Sequence, residues 1–234
     1  MGIPGQSRRE RLRAATTAQI KATALDHLAG GDSNALSLRA IAREMGMTAG
    51  AIYSYFDTRE ALIRELIADL HAALADRLET VCRSASAEGP AAAIFALGHS
   101  YRDWAIANPQ HFRLIHGHPT DELRTVPAAA HRVPGLLAGL VGAWTGRPDV
   151  PEPELGPAYH AYGWADFEPE YAALVHAAHP HASPAAVAFA LRLWARMHGL
   201  VSLEVYGHLS AQTREPAKLF HAEIRHFTQV LGEC

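Results

Sequence analysis

The sequence predicts an all-α protein in which a three-helix helix-turn-helix unit is joined by a long helix to a larger helical body. Three observations predict it. Alanine supplies 45 of the 234 residues against 20 for valine and isoleucine together. Alanine is the best helix former, whereas β-branched residues suit strands. Apolar residues recur at three- and four-residue spacing along most of the chain, and glycine or proline marks the gaps between the runs. Nothing reads as a strand.

The first helix is predicted from Ser7 to Ala29, with Ile20, Ala24 and Leu28 as a four-spaced stripe and Gly30-Gly31 as its stop. Asp32-Ser33-Asn34 reads as a loop. A short helix follows with Ser37 as N-cap and Leu38, Ile41, Ala42 and Met45 on one face; Gly46 ends it. A second short helix starts at Thr48 and carries Ala49, Ile52, Tyr53 and Phe56. Asp57 or Thr58 then caps a long helix, Asp57 with Glu60 fitting a capping box, and Leu62, Leu66, Leu70, Leu74, Leu78 and Val81 carry its inward face to about Cys82. Beyond a connector at 84–90 come helices at Ala91–Ala107 and His111–His116. One at about Val126–Trp144 is kinked at Pro134. Two more follow at Pro184–Tyr206 and Glu215–Leu231. The proline-rich stretch from Thr145 to Pro157 reads as a surface loop. The chain therefore divides at 60, into 1–60 and 61–234.

Composition bounds the function. Hydrophobic residues make up 49% and charged residues 19%, which excludes intrinsic disorder. The net charge is −3, yet the first 68 residues hold nine Arg/Lys against seven Asp/Glu, and Arg8, Arg9, Arg11 and Arg13 crowd into six positions. An anion-facing N-terminal part on an acidic body is the implication. Cys82 and Cys234 are too few for a disulfide framework or a zinc knuckle, so a reducing interior is expected. No apolar run approaches the ~18 residues of a membrane span, and the basic N-terminus is followed by no leucine-rich segment of a signal peptide. A cytoplasmic, soluble protein without membrane contact is expected.

The segment from Leu36 to Leu62 carries the functional reading. Two short helices joined by a glycine-containing turn have helix-turn-helix geometry. With Leu38, Ile41, Ala42, Met45, Ile52 and Phe56 turned inward, Thr48, Ala49, Gly50, Ser54 and Tyr55 face outward. Small and hydroxyl-bearing residues let a backbone approach a major groove closely. Tyr53 can offer a hydroxyl to phosphate, and Arg39 (beside Ser37) and Arg59 can flank the groove as charge contacts. Any all-α protein can place two short amphipathic helices around a glycine turn, so the spacing alone leaves DNA binding open.

The wording narrows it. The run Gly46-Met-Thr-Ala-Gly-Ala-Ile-Tyr-Ser-Tyr-Phe-Asp-Thr-Arg-Glu-Ala-Leu62, the preceding Leu36-Ser-Leu-Arg-Ala-Ile-Ala-Arg-Glu-Met45 and the stripe from Ile20 to Leu28 resemble the DNA-binding segment of TetR-family (tetracycline-repressor-like) regulators over about residues 8–70. The resemblance implies an all-helical repressor that binds double-stranded palindromic operator DNA as a homodimer and is released by a small-molecule effector. It also implies that Tyr53 and Arg59 touch phosphates while Thr48, Ala49, Gly50, Ser54 and Tyr55 lie at or near bases. Arg59 stands where the family usually has Lys, which still serves a phosphate. Leu193-Trp-Ala-Arg-Met-His-Gly-Leu200 resembles the Trp-x-x-x-His-Gly signature of one C-terminal subclass, and Asn108-Pro-Gln-His-Phe-Arg-Leu114 resembles another segment of its regulatory domain. On this resemblance residues 61–234 form a ligand-binding and dimerisation domain. Its last two helices pair with those of a second copy through Leu191, Val201, Leu203, Phe220, Ile224, Phe227 and Leu231.

Phe95, His99, Trp104, Phe112, His116, Tyr162, Trp164 and Met197 are the candidates for an effector pocket, an aromatic lining with a few polar groups suited to an apolar or aromatic molecule. Fifteen histidines raise a rival reading: a helical small-molecule or metal-binding protein, or a histidine-using enzyme, with an incidental helix-turn-helix. His111, His116 and His118, and His176, His179 and His181, cluster in sequence. Neither group has an Asp, Glu or Cys at ligand spacing, so no metal is expected. Gly98-His-Ser-Tyr-Arg102 lacks the second glycine of a serine-nucleophile elbow, and no glycine-rich phosphate loop is present, so neither an enzyme nor a cofactor is expected.

Overall fold

The computed structural model describes residues 7–29, 36–117, 127–145 and 161–230. Among these residues no strand occurs, and no helix is long and apolar enough to cross a membrane. The chain forms two compact units. One comprises residues 1–70 with 110–126, the other 71–109 with 127–234. The division expected at residue 60 falls inside the long fourth helix, and the two units part within that same helix.

The first unit opens with α1 (Arg8–Ala29). Ser7 caps it: the Glu10 amide donates to Ser7 Oγ at 3.2 Å while Glu10 Oε2 accepts from the Ser7 amide at 2.7 Å, a reciprocal capping box. Next come α2 (Leu38–Glu44), α3 (Ala49–Ile52) and the first turns of α4 (Arg59–Ala85). Ile20, Ala24, Leu28, Leu38, Ile41, Ala42, Ile52, Phe56, Leu62 and Leu66, all turned inward by the periodicity, form one buried cluster together with Leu36, Ile63 and Leu114, while Met45, also expected inside, is only partly buried against it. Thr58 caps α4, its Oγ accepting from the Ala61 amide at 3.0 Å. Ser37 occupies the N-cap position of α2 with extended backbone and makes no side-chain cap bond. Lys21 ties α1 to α4 by ion pairs to Glu65 (2.8 Å) and Asp69 (2.7 Å).

The second unit holds the rest of α4, α5 (Pro90–Ala107), α7 (Arg132–Thr145), α8 (Pro169–Ala178), α9 (Pro184–Val205) and α10 (Pro216–Val230); α6 (Pro109–His116) belongs to the first unit from Gln110 onward. α7 and α9 pack together most extensively, α5 lies against both, and α10 covers α5 and α9. Glycines set the close approaches: a Cβ on Gly142 would stand 2.8 Å from the Ala182 Cα, and one on Gly139 would stand 2.3 Å from His179 Nδ1. Two expectations need correction. Pro134 does not kink its helix, because α7 starts at Arg132 and the ring sits in the first turn, where an amide has no intrahelical partner to lose. α8 was missed: its Glu-Tyr-Ala-Ala-Leu-Val-His run is short and alanine-rich, so its stripe reduces to the buried Tyr171 and Val175. Most of the loop placed at 145–157 lies outside the described residues.

Burial holds several imidazoles neutral. It pushes His71 down to about 4, with the nearby charge of His131 adding to the effect, and it also lowers His99, His179 and His198 from the usual 6.5. Because the folded pKa values are depressed, the unfolded chain binds more protons than the folded one below 6.5. Stability should therefore fall as pH drops from about 6.5 toward 4, with His71 alone worth at most ~3 kcal/mol and, discounted for its partial exposure, about 1–2 kcal/mol. Urea midpoints between pH 7.5 and 4.5 check this; a flat profile contradicts neutral burial.

Candidate nucleic-acid interface

The turn between α2 and α3 is built by Gly46, whose φ of 66° is a left-handed value that side chains rarely adopt. The Met47 amide donates to the Ala42 carbonyl at 2.8 Å and the Gly46 amide to the Arg43 carbonyl at 3.2 Å, which closes α2 in a Schellman motif. Thr48 then caps α3, its Oγ accepting from the Ala51 amide at 3.2 Å. A polar cap placed two residues after a left-handed glycine fixes the angle at which α3 leaves α2.

One turn of helix results, and only Ile52 of α3 is buried. Thr48, Ala49, Gly50, Tyr53 and Ser54 are exposed together, with Ser37 and Arg39 exposed at the start of α2. A Cβ on Gly50 would meet nothing within 4 Å, so no neighbour within the protein demands a glycine there. Ser54 folds its hydroxyl back to the Ala51 carbonyl at 2.7 Å.

Two expected contacts sit differently. Tyr55 is half-buried against the core cluster, and the Arg13 guanidinium lies over its ring, 4.8 Å from the centroid, while Arg13 Nη2 donates to the Ser54 carbonyl at 2.6 Å. A residue three beyond Ile52 lies on the same side as that buried side chain, which turns the Tyr55 ring toward the core. Arg59 is half-buried, donating from Nε to the Leu36 carbonyl at 3.1 Å and pairing with Glu60 at 3.2 Å, so much of its guanidinium is engaged within the protein. Sequence reasoning missed Arg13 as a partner of this segment. The arginine run was visible, but a contact across 41 residues leaves no periodic signal.

In this geometry an exposed, hydroxyl-rich turn stands on a fixed helix-turn-helix. The segment 20–66 matches the family described as bacterial regulatory proteins, tetR family, and 94–227 matches the tetracyclin repressor-like C-terminal domain. The chain belongs to the TetR family. It is a DNA-binding transcriptional regulator. It is similar to HTH-type transcriptional regulators of Mycobacterium tuberculosis and Mycobacterium bovis, each 28% identical over 231 residues that span 96% of this chain and 94% of the relative. A crystal structure named for a regulatory protein, SCO4313, superposes with a TM-score of 0.70 at 31% identity, covering 97% of this chain and all of that one. A Rhodococcus protein of unknown function shares the fold, with a TM-score of 0.58 at 20% identity over 92% of each chain. The C-terminal match carries the general description and does not distinguish the Trp-x-x-x-His-Gly subclass.

The residues of that signature are nonetheless assembled in this regulator. Trp194 and His198 stack one turn apart on α9, with ring centres 5.7 Å apart, and the buried Tyr101 of α5 meets His198 Nδ1 at 2.8 Å. Burial raises the Tyr101 phenol and lowers His198 from the usual 6.5, and His198 Nε2 lies 3.3 Å from Ser202 Oγ.

The effector candidates fall into several groups. In the second unit Phe95 and His99 pack at 4.4 Å and share a ring cluster with Phe220 and His221, and His99 Nε2 is buried there without a hydrogen-bond partner. Trp164 lies on His176 at 3.9 Å near Phe167; Tyr162, which stacks on Phe167, is 46% exposed. Trp104 is half-buried and Met197 fully buried. Phe112 and His116 belong to the first unit, where they pack on each other at 4.7 Å. Of the dimer candidates, Val201, Phe220, Ile224 and Phe227 are each under 5% exposed within one protomer, because α10 turns its apolar face onto α5 and α9. Leu191 is half-buried, Leu203 is 42% exposed, and Leu231 lies outside the described residues.

Proposed function

We propose that this TetR-family regulator is a cytoplasmic repressor that reads a palindromic operator as a homodimer and is released by a small apolar or aromatic effector. Residues 1–60 act as the DNA-binding domain and 61–234 as the ligand-binding and dimerisation domain. The exposed face of Thr48, Ala49, Gly50, Tyr53 and Ser54 carries this reading, since its small and hydroxyl-bearing side chains suit base edges and phosphates. One recognition helix reads half a site, so a palindrome calls for two protomers. Their contact is assigned to the ends of α9 and α10, where Leu203, Tyr206 and Leu219 are 42%, 41% and 45% exposed.

Release follows from α4, one continuous helix that starts beside the reading segment and runs into the aromatic body. A hundredfold loss of operator affinity requires about 2.7 kcal/mol of coupling between effector and DNA. Sedimentation at micromolar concentration tests the assembly. The expected species has twice the mass of 25.3 kDa, and Leu203→Arg shifts it toward monomer. A wild-type monomer that still binds a palindrome with one protomer per duplex contradicts the proposal.

A further inference from the structure

The match to the N-terminal family begins at residue 20, whereas α1 begins at Arg8. Residues 8–19 therefore form the N-terminal part of α1, ahead of the segment that the family model matches. This part reaches α3. Arg13 Nη2 donates to the Ser54 carbonyl at 2.6 Å, and its guanidinium covers the Tyr55 ring at 4.8 Å. Tyr55 packs its other side against the core. The ring is thus clamped between the core and the guanidinium, just beyond the last residue of a helix only one turn long.

We infer that Arg13 is a positioning residue for DNA reading: the N-terminal part of α1 latches the C-terminal end of the recognition helix through Tyr55 and Ser54, so that Ser54 keeps the orientation a base edge demands and Tyr53 the one a phosphate demands. This rests on the reading of the α3 face given above. A single helical turn has too few internal hydrogen bonds to hold its own direction, and its last carbonyls lack intrahelical partners. A guanidinium suits both needs. It donates to a terminal carbonyl with charge assistance, and its flat face stacks on an aromatic ring. In this arrangement Tyr55 supports the reading face instead of reading bases. Arg13 also borders a groove of about 550 Å³ lined by Arg8, Arg9, Leu12, Thr16 and Tyr55, so a direct phosphate contact is the rival role.

The two roles separate in one set of titrations. The probes are a duplex selected from a random library by the wild-type protein and a scrambled duplex of equal length, each measured across a potassium chloride series. Arg13→Met should weaken binding to the selected duplex about tenfold, while its binding to the scrambled duplex and its salt slope match those of Arg9→Met, which removes one charge from the same helix. Arg13→Lys should fall nearly as far, because an ammonium keeps the charge and loses the flat fork. Tyr55→Phe should stay near wild type, Tyr55→Leu should lose affinity, and adding Arg13→Met to Tyr55→Leu should cost little more. Thermal midpoints should be unchanged in Arg13→Met, since the side chain is exposed. Full rescue by Arg13→Lys, with equal losses on both duplexes and a salt slope reduced by about one, overturns the latch in favour of a phosphate contact. Wild-type protein that does not distinguish the two duplexes overturns the reading of α3 itself.

Discussion

Glu204→Gln is expected to lower the unfolding free energy by about 2–4 kcal/mol, lowering the thermal midpoint by roughly 6–12 °C. Glu204 on α9 receives a two-pronged contact from Arg102 on α5, Nε to Oε2 at 2.8 Å and Nη2 to Oε1 at 2.5 Å, and the two side chains are 15% and 14% exposed. Taking one partner away leaves a largely desolvated guanidinium facing an amide that cannot balance its charge. The value is reduced from that of a fully enclosed pair because some solvent reaches both groups. Replacing both, as in Arg102→Met with Glu204→Leu, should recover much of the loss, because an apolar pair of similar volume leaves no orphaned charge. Calorimetry checks the order of stability. A single substitution within about 0.5 kcal/mol of wild type would show that the pair is solvated and contributes little.

Salt should act more strongly on DNA binding than any single substitution. Arg8, Arg9, Arg39 and Arg43 are exposed on the first unit with the hydroxyl-rich turn, and the proposed dimer would double every phosphate contact. With six to ten phosphates neutralised, affinity should fall about 10³- to 10⁵-fold between 50 and 200 mM salt. Fluorescence anisotropy of a labelled duplex across that range gives the slope directly. A slope near zero contradicts a phosphate-contacting face on this unit.

How much of this was legible differs between elements. Most of the core of the first unit was legible, because Leu38, Ile41, Ala42, Ile52 and Phe56 repeat at helical spacing on both sides of a glycine, whereas Leu114 joins it from a distant helix that periodicity cannot place. Thr48 and Gly46 were legible for the same local reason: a cap and a left-handed turn are written within a few residues. Arg13, Tyr55 and Arg59 were not, since their partners lie 41, 42 and 23 positions away. In the body, the apolar faces of α9 and α10 were visible. Periodicity cannot say whether such a face meets its own chain or a second copy, and Phe220, Ile224 and Phe227 turned out to fill the protomer itself. The ring clusters around His99 and Trp164 were likewise hidden, because histidine suits core and surface alike.

The central claim is that the face of Thr48, Ala49, Gly50 and Ser54, with Tyr53 beside it for phosphate, reads sequence in double-stranded DNA. Its most direct test is the ratio of wild-type affinities for a selected palindromic duplex and a scrambled one at a single physiological salt concentration, repeated for Thr48→Ala with Ser54→Ala. The account predicts a wild-type ratio of at least about 10³ that collapses toward 1 in the double variant while scrambled-duplex affinity changes far less. A wild-type ratio near 1, or a ratio unaffected by the double substitution, contradicts it.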